Sequence, residues 1–139
     1  MQVRIRHLTY GFLILFGMWL LTGCISTVRE TKRIGEPEFA VVEKDAVPEE
    51  FARVIREEQE EPFCLTYADQ GELYLARGYG RQEKTGYSVE VSELYETENA
   101  VVFHTRLMGP KKGEKTKEIA TYPYVVVKLK DGKKPVEFD

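Results

Sequence analysis

The sequence predicts a mainly β domain of the α+β class, a small antiparallel β sandwich or half-barrel with one short N-terminal helix. Two observations carry this. Between residues 63 and 129 lie five strand-like segments, and three of them, 63–67, 87–92 and 101–108, alternate apolar with polar side chains, the period-two spacing of half-buried strands. A helical period occurs just before them, where Phe51, Val54 and Ile55 fall on one face. One helix followed by strands with turn-length links packs as a β domain with its helix to one side.

The elements follow in chain order. The chain begins MQVRIRHLTY, with Arg4 and Arg6 and no acidic residue. An apolar run, GFLILFGMWLL, spans 11–21 and ends in Leu21-Thr22-Gly23-Cys24. A basic head, an apolar segment and small residues form the pattern of a secretory signal. The run is shorter than the roughly 20 apolar residues of a membrane-spanning helix. Residues 1–23 are therefore expected to be a signal peptide, and 24–38 a polar tether. Phe39-Ala-Val-Val42 reads as a short first strand. Pro48-Glu49-Glu50 opens the helix, because proline lacks an N–H that the first turn cannot use and the glutamates suit the positive helix N-terminus. Glu57 to Glu61 form a charge run, read as a solvated helix end. A calcium loop would need spaced oxygen ligands and a sharp glycine turn, which this run lacks.

After Pro62 the period changes. Phe63–Tyr67 and Glu72–Arg77 read as strands around the turn at 68–71. Tyr87, Val89 and Val91 alternate with Ser88, Glu90 and Ser92. Val101, Phe103, Thr105 and Leu107 alternate with Val102, His104, Arg106 and Met108. A polar loop covers 109–117, and the last strand is expected over Ile119–Leu129, ended by Asp131-Gly132. Pro123 cannot donate to a ladder, so it predicts an edge strand or a bulge there.

Composition bounds the function. Without residues 1–23, 116 residues remain, one domain and a tether. Eighteen basic residues then face 23 acidic ones, a net charge of about −5. That argues against nucleic acid, which is bound through a basic surface. With Cys24 modified, Cys64 has no intrachain disulfide partner, and a lone Cys in PFCLTY reads as a small apolar residue.

The stretch GYGRQEKTGYSVEV, residues 78–91, is the richest candidate for chemistry. Its GYG has part of a dinucleotide fingerprint. A phosphate loop leads into a helix N-terminus, however, and this one leads into a strand. Beyond the signal only His104 remains among the histidines, so no metal site is expected. Cys64 and His104 are the only nucleophile–base pair on offer. Glu83 and Glu90 lie in ordinary charged surroundings. The sequence thus points to recognition without catalysis or cofactor. Glycines bend the turn, and Tyr79 and Tyr87 flank it with broad, polar-tipped rings. Tyr122 and Tyr124 add to one face. Aromatic side chains on adaptable turns are what protein-binding surfaces use.

The segment LTGC resembles the lipobox of bacterial lipoproteins, in which cleavage before the Cys leaves a lipidated thiol. The resemblance implies a lipid at Cys24 and a protein held on the extracytoplasmic face of the cell membrane. The order GYGRQEKTGYSVEV, LMGPKKGE, TYPYVVVKL, roughly from Glu61 to Leu129, resembles the C-terminal domain of the PrcB family of protease-complex lipoproteins. The family pattern has two glycines where Lys84-Thr85-Gly86-Tyr87 has one. The resemblance implies an accessory subunit of a secreted or surface protease. It marks Thr85–Tyr87 and Gly109–Pro110 as a shared surface, and with the residues read above the candidate partner-binding set is Tyr79, Lys84, Thr85, Gly86, Tyr87, Gly109, Pro110, Tyr122, Pro123 and Tyr124. A second resemblance, of Thr85-Gly86-Tyr87 to the first loop of chagasin-like cysteine-protease inhibitors, implies direct inhibition as the alternative. The other two loops lack the glycine-rich and Arg-Pro-Trp patterns of that family, and the only Trp, Trp19, lies in the signal. An envelope structural or sensing lipoprotein is the remaining alternative.

Overall fold

Period-two segments become strands because a pleated chain sends alternate side chains to opposite faces. In the computed structural model, which describes residues 33–139, eight strands and one helix form in this way. The signal, Cys24 and the tether up to residue 32 lie outside the described residues.

The elements are β1 (Arg33–Gly35), β2 (Phe39–Val41), α1 (Glu49–Glu58), β3 (Pro62–Asp69), β4 (Glu72–Tyr79), β5 (Ser88–Thr97), β6 (Val101–Met108), β7 (Tyr124–Lys130) and β8 (Val136–Phe138). A single 3₁₀ turn, Lys44–Ala46, precedes the helix. Two four-stranded sheets result, in the orders β1-β5-β6-β8 and β2-β7-β4-β3. Neighbours are antiparallel except β6 and β8, which run parallel. The described residues form a sandwich with one short helix, mostly β, and no closed barrel among them.

The sheets meet on one apolar core. Leu73, Leu75, Val125 and Val127 from one sheet pack with Leu94, Val101 and Phe103 from the other. The helix makes a second core on the far face of the β2-β7-β4-β3 sheet. Phe51 and Ile55, one turn apart, pack with Val47 against Phe63, Ala76 and Val126. β4 and β7 are therefore covered on both faces, and Leu75, Ala76 and Val127 are fully buried. The helix starts where expected, and the Pro48 carbonyl accepts the Ala52 N–H at 2.8 Å.

Four details differ from the sequence reading. The segment 33–38, expected in the tether, contributes β1, which pairs Arg33 with Thr97 and Gly35 with Glu96. β8 was not foreseen; at three residues, both it and β1 are too short for a period to appear. The last long strand starts at Tyr124, five residues later than expected, and β7 is central, with β2 on one side and β4 on the other. Pro123 explains the late start. Lacking an N–H, it stands just outside the ladder, while its carbonyl still accepts the Tyr79 N–H at 3.2 Å. Finally, β5 reaches Thr97, and its inward set changes from Val89 and Val91 to Leu94. A bulge between Val91 and Glu93 makes the change by adding one residue opposite β6.

Candidate functional site: two loops zipped together

The residues singled out in the sequence converge at one end of the sandwich. β4 leads into the 80–87 loop, β6 leads into the 109–123 segment, and the two lie side by side. Gln82 and Thr121 exchange backbone hydrogen bonds at 2.8 and 2.9 Å. The Thr121 hydroxyl donates to the Lys84 carbonyl at 2.9 Å. The Thr85 N–H donates to the Lys117 carbonyl at 3.0 Å, and the Thr85 hydroxyl accepts the Lys117 N–H at 2.9 Å. Thr85 thus caps both backbone groups of Lys117.

Gly86 sits at φ +100°, a backbone region that side chains disfavour. A Cβ there would also meet Pro110 Cγ at 2.9 Å. Pro110 therefore lies directly on Gly86. Gly109 packs near the Tyr87 ring, since a Cβ on it would stand 3.6 Å from Tyr87 Cε1. Thr85-Gly86-Tyr87 and Gly109-Pro110 are thus the two halves of one joint.

The tyrosines have separate tasks. Tyr79 shares a 2.7 Å hydrogen bond with the Thr105 hydroxyl, tying β4 of one sheet to β6 of the other. The Arg77 guanidinium lies over the Tyr79 ring, 4.3 Å from its centre, and donates to the carbonyls of Phe63 and Gly78. The Tyr122 hydroxyl donates to Glu60 at 3.2 Å, and the Glu60 carbonyl accepts the Arg81 N–H at 3.1 Å. The end of the acidic run therefore pins the loop. Tyr124 packs on Phe63 at 6.2 Å between ring centres, with the Lys44 ammonium 4.7 Å from its ring. Burial pushes its hydroxyl above the ordinary value of 10.0, with Arg56 opposing. Tyr87 is half-buried. It lines a cleft of about 300 Å³ with Val41–Lys44, Ser88, Val89 and Pro123–Val126.

The enzyme candidates separate. Cys64 lies on β3 of one sheet, opposite Arg77. His104 lies on β6 of the other, stacked on Tyr95 with Nδ1 2.5 Å from Asp139 Oδ2. Glu83 pairs with Arg81 at 3.2 Å and Glu90 with Arg106 at 2.7 Å, both at the surface. Among the described residues, no group of three or more His, Cys, Asp or Glu side chains is placed to hold a metal.

Residues 73–130 match the family model described as PrcB C-terminal. Over this span the chain is similar to the C-terminal domain of the PrcB family. Searches of curated proteins and of solved structures gave no match. The PrcB span opens one residue into β4 and closes with β7, so it contains both loops of the joint and every candidate partner-binding residue. The match to this domain supports association with a protease-complex subunit. The sequence resemblance was carried by the loop residues. The structure gives them an internal reason to be these residues, because Thr85 bonds Lys117, Gly86 lies against Pro110 and Gly109 packs near Tyr87.

Proposed function

We propose that this chain is a lipid-anchored, extracytoplasmic binding module without catalytic activity of its own, an accessory or stabilising subunit of a secreted or surface protease complex. The PrcB span is the observation that carries the reading. The signal-like start and LTGC support the anchor at Cys24, and acylation by two or more chains holds a protein at a membrane stably. Among the described residues, no helix is long and apolar enough to cross a membrane. Insertion of Thr85–Tyr87 into a protease cleft, as in the inhibitor reading, would need a free loop. Thr85 is engaged with Lys117 and Gly86 lies under Pro110, which favours the accessory role.

The test is capture from native membranes with the full chain as bait, followed by assay of what is captured. An active protease should be recovered, and the Cys24→Ala chain should lack lipid by mass spectrometry. A protease recovered with lowered turnover would establish the inhibitor instead. Recovery of no protease would leave the envelope-lipoprotein reading in its place.

A further inference from the structure

The loop joint holds up a segment whose charge is opposite to that of the rest of the chain. The chain has 23 acidic and 20 basic residues, yet 109–117 carries four lysines and one glutamate. Lys111, Lys112, Lys115 and Lys117 are exposed, and Lys84 of the facing loop is half-buried. Elsewhere the cations meet carboxylates: Arg33, Arg56, Arg81 and Arg106 each make an ion pair. Among the described residues, no carboxylate pairs with any of these five lysines.

The backbone beneath the lysines is fixed. Lys111 to Glu114 form a tight turn, in which the Glu114 N–H donates to the Lys111 carbonyl at 2.9 Å and Gly113 takes φ +86°. The Lys111 N–H donates to the Glu114 carboxylate at 3.0 Å. Thr85 holds both backbone groups of Lys117. A backbone ordered before a partner arrives lowers the cost of binding. Beside the turn a cleft of about 390 Å³ opens between Gly86 and Ser88 on one loop and Met108, Gly109 and Lys111 on the other. Met108 is 40% exposed. Both carboxylates of the cleft are engaged, Glu90 by Arg106 at 2.7 Å and Glu114 by the Lys111 N–H. Of the acidic residues between 109 and 120, that leaves Glu118 to offset the lysines.

We propose that the 109–117 segment, with Lys84 beside it, docks an acidic stretch of a partner polypeptide across the cleft at Met108. Ammonium groups that no carboxylate neutralises give the surface its choice of charge, and such charges steer association and select partners. A membrane surface fits less well. The described chain enters the domain at Arg33, which pairs with Thr97 at one end of β5, and the joint precedes Ser88 at the other. About 30 Å of strand separates the two ends, so the lysine segment lies remote from the side on which the tether arrives. The inference deepens the binding-module reading and rests on it. The joint then serves recognition indirectly, by holding the lysine segment in place.

The test is fluorescence anisotropy of the full chain in detergent with two labelled synthetic peptides. One has glutamates spaced by leucine and serine, and the other has its glutamates replaced by glutamine. The first should bind, more weakly as salt rises, and the second at least about tenfold more weakly. A chain with Lys111→Glu, Lys112→Glu and Lys115→Glu should also lose at least about tenfold toward the first peptide, and arginine at the same positions should restore it. Lys128→Glu with Lys130→Glu, on β7 away from the joint, should cost less than about twofold. Equal binding of the two peptides, no loss in the triple variant, or an equal loss in the β7 variant would overturn the proposal. So would hydrogen-exchange protection of 109–118 in phosphatidylglycerol but not phosphatidylcholine vesicles, which would make the membrane the occupant. Self-association lost in the triple variant would overturn it in favour of a second copy. The membrane capture separates the two readings. A protease captured equally by the triple variant, without peptide binding, removes the lysine site alone, whereas peptide binding without a captured protease removes the protease partner alone.

Discussion

At the scale of single residues, the glycines of GYGRQEKTGY do different work. Gly80 and Gly86 have positive φ, so their backbone requires glycine. Gly78 does not, and its reason is space. A Cβ on Gly78 would stand 2.1 Å from Phe63 Cε1, because the Phe63 ring lies across this glycine from the paired position on β3. A turn-rich sequence announces the first kind of glycine. It cannot announce the second, whose partner is fifteen residues away. Gly78→Ala should therefore destabilise the domain by about 1–3 kcal/mol, the usual cost of overpacking. The loss should be partly recovered when Phe63→Leu is added, although Phe63→Leu alone is destabilising. Thermal unfolding of the two single variants and the double variant tests this. Additive losses would mean that the ring and the glycine do not constrain each other.

At the scale of elements, strands with many alternating residues and the apolar β2 were legible, and the short polar β1 and the short β8 were not. β1 is an example. It has three residues, all exposed, and is fixed largely by its Arg33 side chain. The Arg33 guanidinium lies 4.1 Å from the centre of the Tyr95 ring and pairs with Glu93 and Glu36. The hydrogen bond from Arg33 holds the Glu93 carboxyl below its ordinary value of 4.5; some desolvation opposes this, and the charges of Arg33 and His104 add to it. A lowered carboxylate stabilises the folded state above its unfolded value, and that contribution disappears as pH falls through the lowered folded value. Exposure makes the effect small and sensitive to salt. Amide exchange at 33–35, corrected for its intrinsic pH dependence, should therefore accelerate as pH falls below about 4.5. Exchange in the centre of β6 should stay unchanged. Equal protection of β1 at neutral and acid pH would show that the ion pair does not hold the strand.

At the scale of the whole molecule, the sandwich was legible because five strand-like segments, three of them alternating, need two apolar faces to meet. The sheet that each strand joins was not. β7 pairs with β4 residues 46 to 58 positions before their partners and with β2 residues 86 to 90 positions before theirs, and no local pattern carries such a pairing. The same long-range pairing makes the two cores one unit. On β4, Leu75 belongs to the core between the sheets and Ala76 to the core under the helix. On β7, Val127 and Val126 divide in the same way. Neither core can open without disturbing strands that carry the other, so the described domain should unfold in one step. Ile55→Ala under the helix should cost about 2–5 kcal/mol, and Phe103→Ala between the sheets about 3–5 kcal/mol. In both variants, far-ultraviolet and tyrosine near-ultraviolet dichroism should lose their signals at one shared midpoint. An Ile55→Ala protein that lost its helix signal well before its tyrosine signal would mean that α1 is a separable layer, and that the sheets hold together without it.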